Sequence, residues 1–113
     1  MKKSIRNLCT LAVLAAAAGA SHANSYYIGT MRPYYVSNVL YIEETAVNKG
    51  AVPACVNTTR NLLRLSVDPA SNEFKEQYAM LLAAWYTGRA INVAGTGVCT
   101  NEGDETVLTL SPQ

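Results

Sequence analysis

Residues 62–94 read LLRLSVDPASNEFKEQYAMLLAAWYTGRAINVA and predict a strand, a helix and a second strand, in that order. Leu63, Leu65 and Val67 alternate with their neighbours, as in a strand. Asp68-Pro69 predicts a helix start, because Asp caps free amides and Pro tolerates the first helical position. Gly88 predicts a left-handed cap at the helix end, and 89–94 returns to strand character. Between these ends one apolar stripe recurs at helical spacing: Phe74, Tyr78, Leu81, Leu82 and Trp85.

Strand patterns also lie on both sides of this segment. Two runs before it are rich in β-forming residues, and a proline between them predicts a hairpin turn. Behind the helix, a pair of glycines predicts a break in the fourth strand. The further predicted elements are a strand at 26–32, a turn at 33–35, a strand at 36–45, a loop at 46–59, a break at 95–97, a polar loop at 99–104 and a strand at 106–110.

The predicted order is therefore strand, strand, strand, helix, strand, strand. A mainly β chain with its one helix between strands three and four has the order of the OB-fold, a five-stranded Greek-key barrel. A generic α+β sandwich built from the same elements is the alternative.

Residues 1–23 have the pattern of a cleaved signal peptide. Lys2, Lys3 and Arg6 precede an apolar run, and Ser21-His22-Ala23 places small residues where a signal peptidase cleaves. The apolar run at 8–18 is too short for a membrane anchor, which needs about 20 residues. We therefore predict export to the periplasm or the medium, no membrane span, and a single domain at 24–113.

The exported part carries two cysteines, Cys55 and Cys99. In an oxidising compartment we expect them to form a disulfide with each other, the alternative being two separate buried thiols. Without residues 1–23 the chain keeps six of its nine basic residues against eight acidic ones, a net charge of about −2. This balance argues against a nucleic-acid partner, which needs a clustered positive surface.

Short motifs resemble the B subunits of subtilase cytotoxin and of the pertussis-like typhoid toxin family. The motifs are Ile28-Gly29, Pro53-Ala54-Cys55 within the run that begins at Gly50, Phe74-Lys75-Glu76 and Tyr86-Thr87-Gly88. The resemblance implies an OB-fold subunit that assembles into a homopentamer, binds cell-surface glycans and carries a separate catalytic A subunit.

Two parts of the chain depart from those toxins. Their Tyr-Tyr-Ser element, whose serine helps to hold sialic acid, has no counterpart in Asn24-Ser25-Tyr26-Tyr27, where the order differs. The sialic-acid site is therefore not carried over. Residues 95–113 are instead similar to small uncharacterised secreted bacterial proteins of the same build.

The sequence offers little for catalysis, and we predict no enzyme, no cofactor and no metal. The single histidine, His22, lies in the leader, so no Ser-His or Cys-His arrangement exists beyond it. Glu43 and Glu44 are neighbours on a strand and point to opposite faces, so they cannot act on one substrate. A calcium site at Glu102, Asp104 and Glu105 is a minor alternative, because these residues lack the spacing of a known calcium loop.

Seven tyrosines point to binding instead, since a tyrosine ring offers an apolar face and a hydroxyl. Arg32, Tyr34 and Tyr35, predicted at the first turn, are the candidates for binding a glycan or a partner; ordinary barrel aromatics are the plainer interpretation. The candidates for an oligomer interface lie on the helix: Met80, Ala83, Ala84 and Tyr86.

The leading hypothesis is thus a secreted, non-enzymatic binding subunit that recognises a glycan or protein on a partner surface. The alternative is a monomeric periplasmic OB-fold protein with a structural or inhibitor-like role and no sugar site.

Overall fold

A computed structural model describes residues 24–113, and the predicted signal peptide lies outside them. Five strands and one helix follow each other in the predicted order, with the helix between the third and fourth strands. The elements are β1 (Tyr26–Val36), β2 (Val39–Gly50), β3 (Leu62–Arg64), α1 (Asn72–Thr87), β4 (Ile91–Cys99) and β5 (Glu105–Pro112).

The five strands close into a barrel in the order β1-β2-β3-β5-β4. Neighbouring strands are antiparallel except β3 and β5, which run parallel over a short seam. This topology, with the helix between β3 and β4, is that of the OB-fold, so the predicted fold is confirmed and the sandwich alternative is wrong.

The first hairpin turns later than predicted. β1 continues through Pro33 to Val36, and the turn residues are Ser37 and Asn38, both with positive φ (51° and 61°). Positive φ at both central residues is the geometry of a two-residue hairpin turn whose twist matches the strands. Pro33 is tolerated inside β1 because β4 pairs only with Tyr26–Gly29, which leaves one edge of the strand free at the proline.

The fourth strand also runs further than predicted. Gly95 and Gly97 do not end β4, which continues to Cys99 with irregular pairing to β5. Glycines in a strand interior are compatible with such bulges. The predicted polar loop therefore shrinks to the residues between β4 and β5.

Helix α1 begins at Asn72 and is capped by Ser71 rather than by Asp68. The Ser71 hydroxyl accepts a hydrogen bond from the Phe74 amide, while Asp68 stabilises the preceding turn through the amide of Ala70. The helix ends as predicted at Gly88, whose φ of 68° is left-handed. Of the predicted apolar stripe, Phe74 and Leu81 are buried in the core.

The barrel interior is filled by side chains from all six elements or the residues next to them, and α1 covers one part of it. The buried apolar residues are Tyr27, Met31, Leu40, Ile42, Leu63, Leu65, Phe74, Leu81, Ile91, Val93 and Val107. Within 24–113 no helix combines the length and the apolar character needed to cross a bilayer.

The predicted disulfide is present. Cys55 and Cys99 are joined with an S–S distance of 2.04 Å and lie 44 residues apart in sequence. A loop of that length corresponds to about 4 kcal/mol of stabilisation through the entropy of the unfolded chain. The bond ties the segment before β3 to the end of β4.

Candidate functional site

Aligned rows of polar and aromatic side chains cross the outer face of β1, β2 and β3. Tyr34 of β1 is paired with Tyr41 of β2, and Tyr41 is paired with Arg64 of β3. In the next row Arg32 is paired with Glu43. Directly paired residues share a face of the sheet. We call these five residues the tyrosine platform.

The platform lies on the outside of the barrel because its sequence neighbours fill the inside. Met31, Ile42 and Leu63 are 2% exposed or less. Side chains alternate between the two faces of a strand, so the residues beside them point outward. Tyr34 is accordingly 46% exposed.

The two tyrosine rings form the middle of the platform. The ring centroids of Tyr34 and Tyr41 are 6.3 Å apart, with the ring planes tilted by 40°. This spacing lies in the range of favourable aromatic pairs. Together the rings present an apolar surface, flanked by side chains that can form hydrogen bonds.

The guanidinium groups on the two sides of the rings differ in their partners. The Arg32 Nε donates to Glu43 Oε2 at 2.7 Å, in an ion pair whose side chains are 49% and 34% exposed. Arg64 forms no ion pair with any residue of the described part, 24–113. Its donors are therefore available to a ligand carrying hydroxyl or carboxylate oxygens.

Tyr35 does not belong to the platform. Its ring points to the opposite face of β1 and packs on α1, with centroids 6.0 Å from Phe74 and 6.2 Å from Tyr78. The predicted position of Tyr34 and Tyr35 together at a hairpin tip is therefore wrong. Arg32 and Tyr34 share one surface, and Tyr35 lies on another.

A cross-linked pair of loops lies beside β3. Arg60 holds the buried carboxylate of Asp104 through two hydrogen bonds of 2.7 and 2.9 Å, and these bonds raise the pKa of Arg60 above its ordinary value. The Asn57 amide donates to the Gly103 carbonyl at 2.8 Å. Together with the disulfide, these contacts give the loops a fixed position next to the platform.

Glu102 lies in the loop between β4 and β5. Hydrogen bonds from its own backbone and from Thr100 lower the pKa of the Glu102 carboxyl, and the charges of Arg60 and Arg64 lower it further. The loop between β4 and β5 is held next to the segment before β3 by the Arg60–Asp104 ion pair and by the disulfide. OB-folds commonly bind ligands at this combination of sheet face and loop.

The acidic residues near the end of the chain do not form a calcium site. Asp104 is paired with Arg60, while Glu105 is fully buried inside the barrel. No group of three possible metal ligands occurs among residues 24–113.

Glu105 instead anchors a buried polar network. Its carboxylate accepts hydrogen bonds from the hydroxyls of Ser25 and Tyr27, the latter at 2.6 Å, and from the Gly97 amide at 2.8 Å. Burial, and then the bond to Glu105, raise the pKa of Tyr27 well above its ordinary 10.0. The network joins the start of β1 to β4 and β5, whereas the sequence predicts only a polar loop at 99–104 next to Glu105.

Glu43 and Glu44 are separated as predicted for strand neighbours. Glu43 is paired with Arg32 on the outer face, while Glu44 accepts from Lys49 at 3.1 Å. The two carboxylates therefore hold different cations and do not converge on one point.

The residues predicted for an oligomer interface lie on the C-terminal half of α1. Met80, Ala83 and Ala84 line a cleft of about 280 Å³ between the helix and the end of β5. Tyr86 lies outside the cleft and is 83% exposed, the highest value among the exposed large hydrophobic residues of 24–113. Its role in an interface stays a prediction.

Tyr41 and Arg64 are the two platform residues that the sequence analysis does not name. Both lie in segments predicted as strands. That they lie beside Tyr34 depends on the register between the strands, which is set by contacts distant in sequence. With the register known, alternation alone would have found both residues.

Comparisons with models of protein families, with curated proteins and with solved structures find no match to this chain. The resemblance to toxin B subunits, with its ring of five and its catalytic partner, therefore stays a prediction. The function has to be inferred from the chain's own side chains.

Proposed function

We propose that this protein is a non-enzymatic binding subunit that recognises a glycan on a partner surface through the tyrosine platform. The observation that carries the proposal is the directly paired Tyr34 and Tyr41 on the outer face, next to the unpaired guanidinium of Arg64. Sugar rings have an apolar C–H face and a rim of hydroxyls. Such a ligand needs both an aromatic surface and nearby hydrogen-bond donors.

The rings supply the aromatic surface at low entropic cost. Tyr34 and Tyr41 contact each other and are anchored in adjacent strands, so little freedom is lost on binding. Stacking of one sugar ring across both tyrosines buries apolar area on each side of the contact. The hydroxyls of the rings remain at the edge, where a sugar can bond to them.

The charged members of the platform supply orientation. Arg64 offers up to five N–H donors, and Glu43 offers acceptor oxygens beside Arg32. Because the ion pair of Arg32 with Glu43 is well exposed, it costs little to rearrange around a ligand. The cross-linked loops beside β3 keep this side of the site in place.

A binding role is also supported by the separate partners of the acidic residues. The carboxylates of the described chain that form ion pairs, Glu43, Glu44 and Asp104, each hold a separate cation, and Glu105 is bonded inside the barrel. No two of these groups face one cleft as acid and base catalysis requires.

A glycan array tests the proposal, with the disulfide-bonded protein and three alanine variants. We expect the wild type to bind a defined set of glycans, and Tyr34→Ala and Tyr41→Ala to weaken that binding about tenfold or more. Tyr26→Ala is the matched control, because Tyr26 lies on the same strand and is also 46% exposed. It should bind as the wild type does.

Two outcomes of the glycan array would contradict the proposal. If no glycan binds, or if binding persists in both platform variants, the platform is not a carbohydrate site. A partner protein found by cross-linking at Tyr34 or Arg64 would then replace the glycan as the ligand of this face.

A further inference from the structure

Helix α1 presents an outward face that the barrel does not cover. Glu76, Met80, Ala83 and Thr87 recur at i, i+4, i+7 and i+11 and so form one stripe along the helix. Glu76, Ala83 and Thr87 are exposed, and Met80 is half-buried. The C-terminal half of this stripe forms one wall of the cleft at the end of β5.

Opposite charges lie at the two ends of the stripe. Glu76 is near its beginning, and Arg89 lies at the rim of the cleft just beyond the helix end. Neither forms an ion pair with any of residues 24–113. Ala83 lies close to the midpoint between them in sequence.

This arrangement of charges is self-complementary when two copies of the helix pack antiparallel. In an antiparallel pair that crosses at Ala83, Glu76 of each helix lies opposite Arg89 of the other. A twofold axis therefore gives two ion pairs from one pair of residues. The small side chain of Ala83 at the crossing permits a close approach of the two backbones.

We infer that two copies of this chain associate through α1 about a twofold axis, with Glu76 of each copy against Arg89 of the other. The platform on β1, β2 and β3 takes no part in this contact. The inference is therefore independent of the proposed glycan binding.

Tyr86 gives the contact its apolar part. It flanks the stripe one turn beyond Ala83, and in the antiparallel pair it faces the small Ala79 of the second copy. Tyrosine is enriched at the centres of protein interfaces, and an exposed tyrosine on an otherwise uncovered helix face fits such a contact.

Sedimentation equilibrium and native mass spectrometry of the disulfide-bonded protein test this contact. We expect a dimer for the wild type and a dimer dissociation constant about tenfold or more higher for Glu76→Arg and for Arg89→Glu. The double variant Glu76→Arg/Arg89→Glu should restore the wild-type constant to within about threefold, since the pairs are reversed rather than lost. Tyr86→Ser should also weaken the dimer.

Lys75→Glu is the matched control. It changes the net charge of the chain by as much as Arg89→Glu does, but Lys75 lies off the stripe. It should leave the dimer unchanged. All these positions are exposed, so circular dichroism should show that the variants are folded. If either charge reversal fails to fold, Tyr86→Ser tests the same contact without a change of charge.

A monomer at all concentrations would overturn the inference. So would a ring of five, because a twofold contact pairs copies and cannot close an odd-numbered ring. A dimer that withstands both charge reversals, or that the double variant fails to restore, would place the contact elsewhere. Loss of glycan binding in Tyr34→Ala with an intact dimer would show that the two surfaces are separate.

Discussion

Replacing Gly95 with alanine should be far more damaging than its size suggests. A Cβ atom at this position would come closer than 3.0 Å to the carboxylate of Glu105 and the hydroxyl of Ser25. Both groups are buried, at 0% and 2% exposure. Neither can move aside into solvent, so the new methyl group must displace the polar network.

The magnitude follows from what the network loses. Overpacking of a buried site costs about 1–3 kcal/mol. Shifting the carboxylate also stretches bonds from Ser25, Tyr27 and Gly97, and an unsatisfied buried polar group costs about 1–3 kcal/mol more. We expect Gly95→Ala to lower the free energy of unfolding by about 3 kcal/mol in total.

Urea unfolding followed by the fluorescence of Trp85, the single tryptophan, measures this loss. With a slope of about 1–1.5 kcal/mol per molar urea, the midpoint should fall by about 2–3 M. Gly97→Ala is the control: no atom lies within 4 Å of its Cβ position, but its φ is +83°. That backbone strain should cost only about 1 kcal/mol. Equal losses in the two variants would refute the steric explanation.

Two further predictions concern charge. Asp104→Asn should cost about 2–3 kcal/mol because the carboxylate is 1% exposed, whereas Glu43→Gln in the exposed pair should cost less than about 1 kcal/mol; equal midpoints in urea would contradict this contrast. The pKa of Tyr27 is raised above 10.0 in the folded protein, so the unfolded chain loses this proton at lower pH than the folded chain does. The contribution of Tyr27 to the free energy of unfolding is therefore fully present below pH 10 and falls as the pH rises further. Tyr27→Phe should therefore flatten the alkaline decline in urea midpoints measured between about pH 8 and 11, and an unchanged decline would show that Tyr27 is not its source.

The order of elements and the disulfide could be predicted from sequence because they depend on local patterns and cysteine count. Alternation identifies 62–67 as strand-like, and helical spacing identifies the stripe that contains Phe74 and Leu81. Within residues 24–113, Cys55 and Cys99 are the only two cysteines, so each has the other as its sole candidate partner. These features need no knowledge of which strands are neighbours.

The features that sequence reasoning missed depend on the barrel itself. The sequence predicts a turn at Pro33, whereas the structure has a strand there, because β4 stops pairing at Gly29 and leaves this edge of β1 free. The burial of Glu105, which is predicted only as a minor calcium-ligand candidate, depends on Ser25 and Tyr27, two donors that lie some 80 residues earlier in the chain. Register and burial of this kind come from distant contacts.

The short parallel seam between β3 and β5 has a consequence for how the chain acquires its structure. Only Leu63 and Arg64 pair with β5 across this seam, and β5 is also the strand that completes the ladder with β4. Until residues 105–112 have been synthesised, both β3 and β4 lack this neighbour. We expect closure of the barrel to be a late step that waits for the last strand, as is common where pairing joins distant parts of a chain.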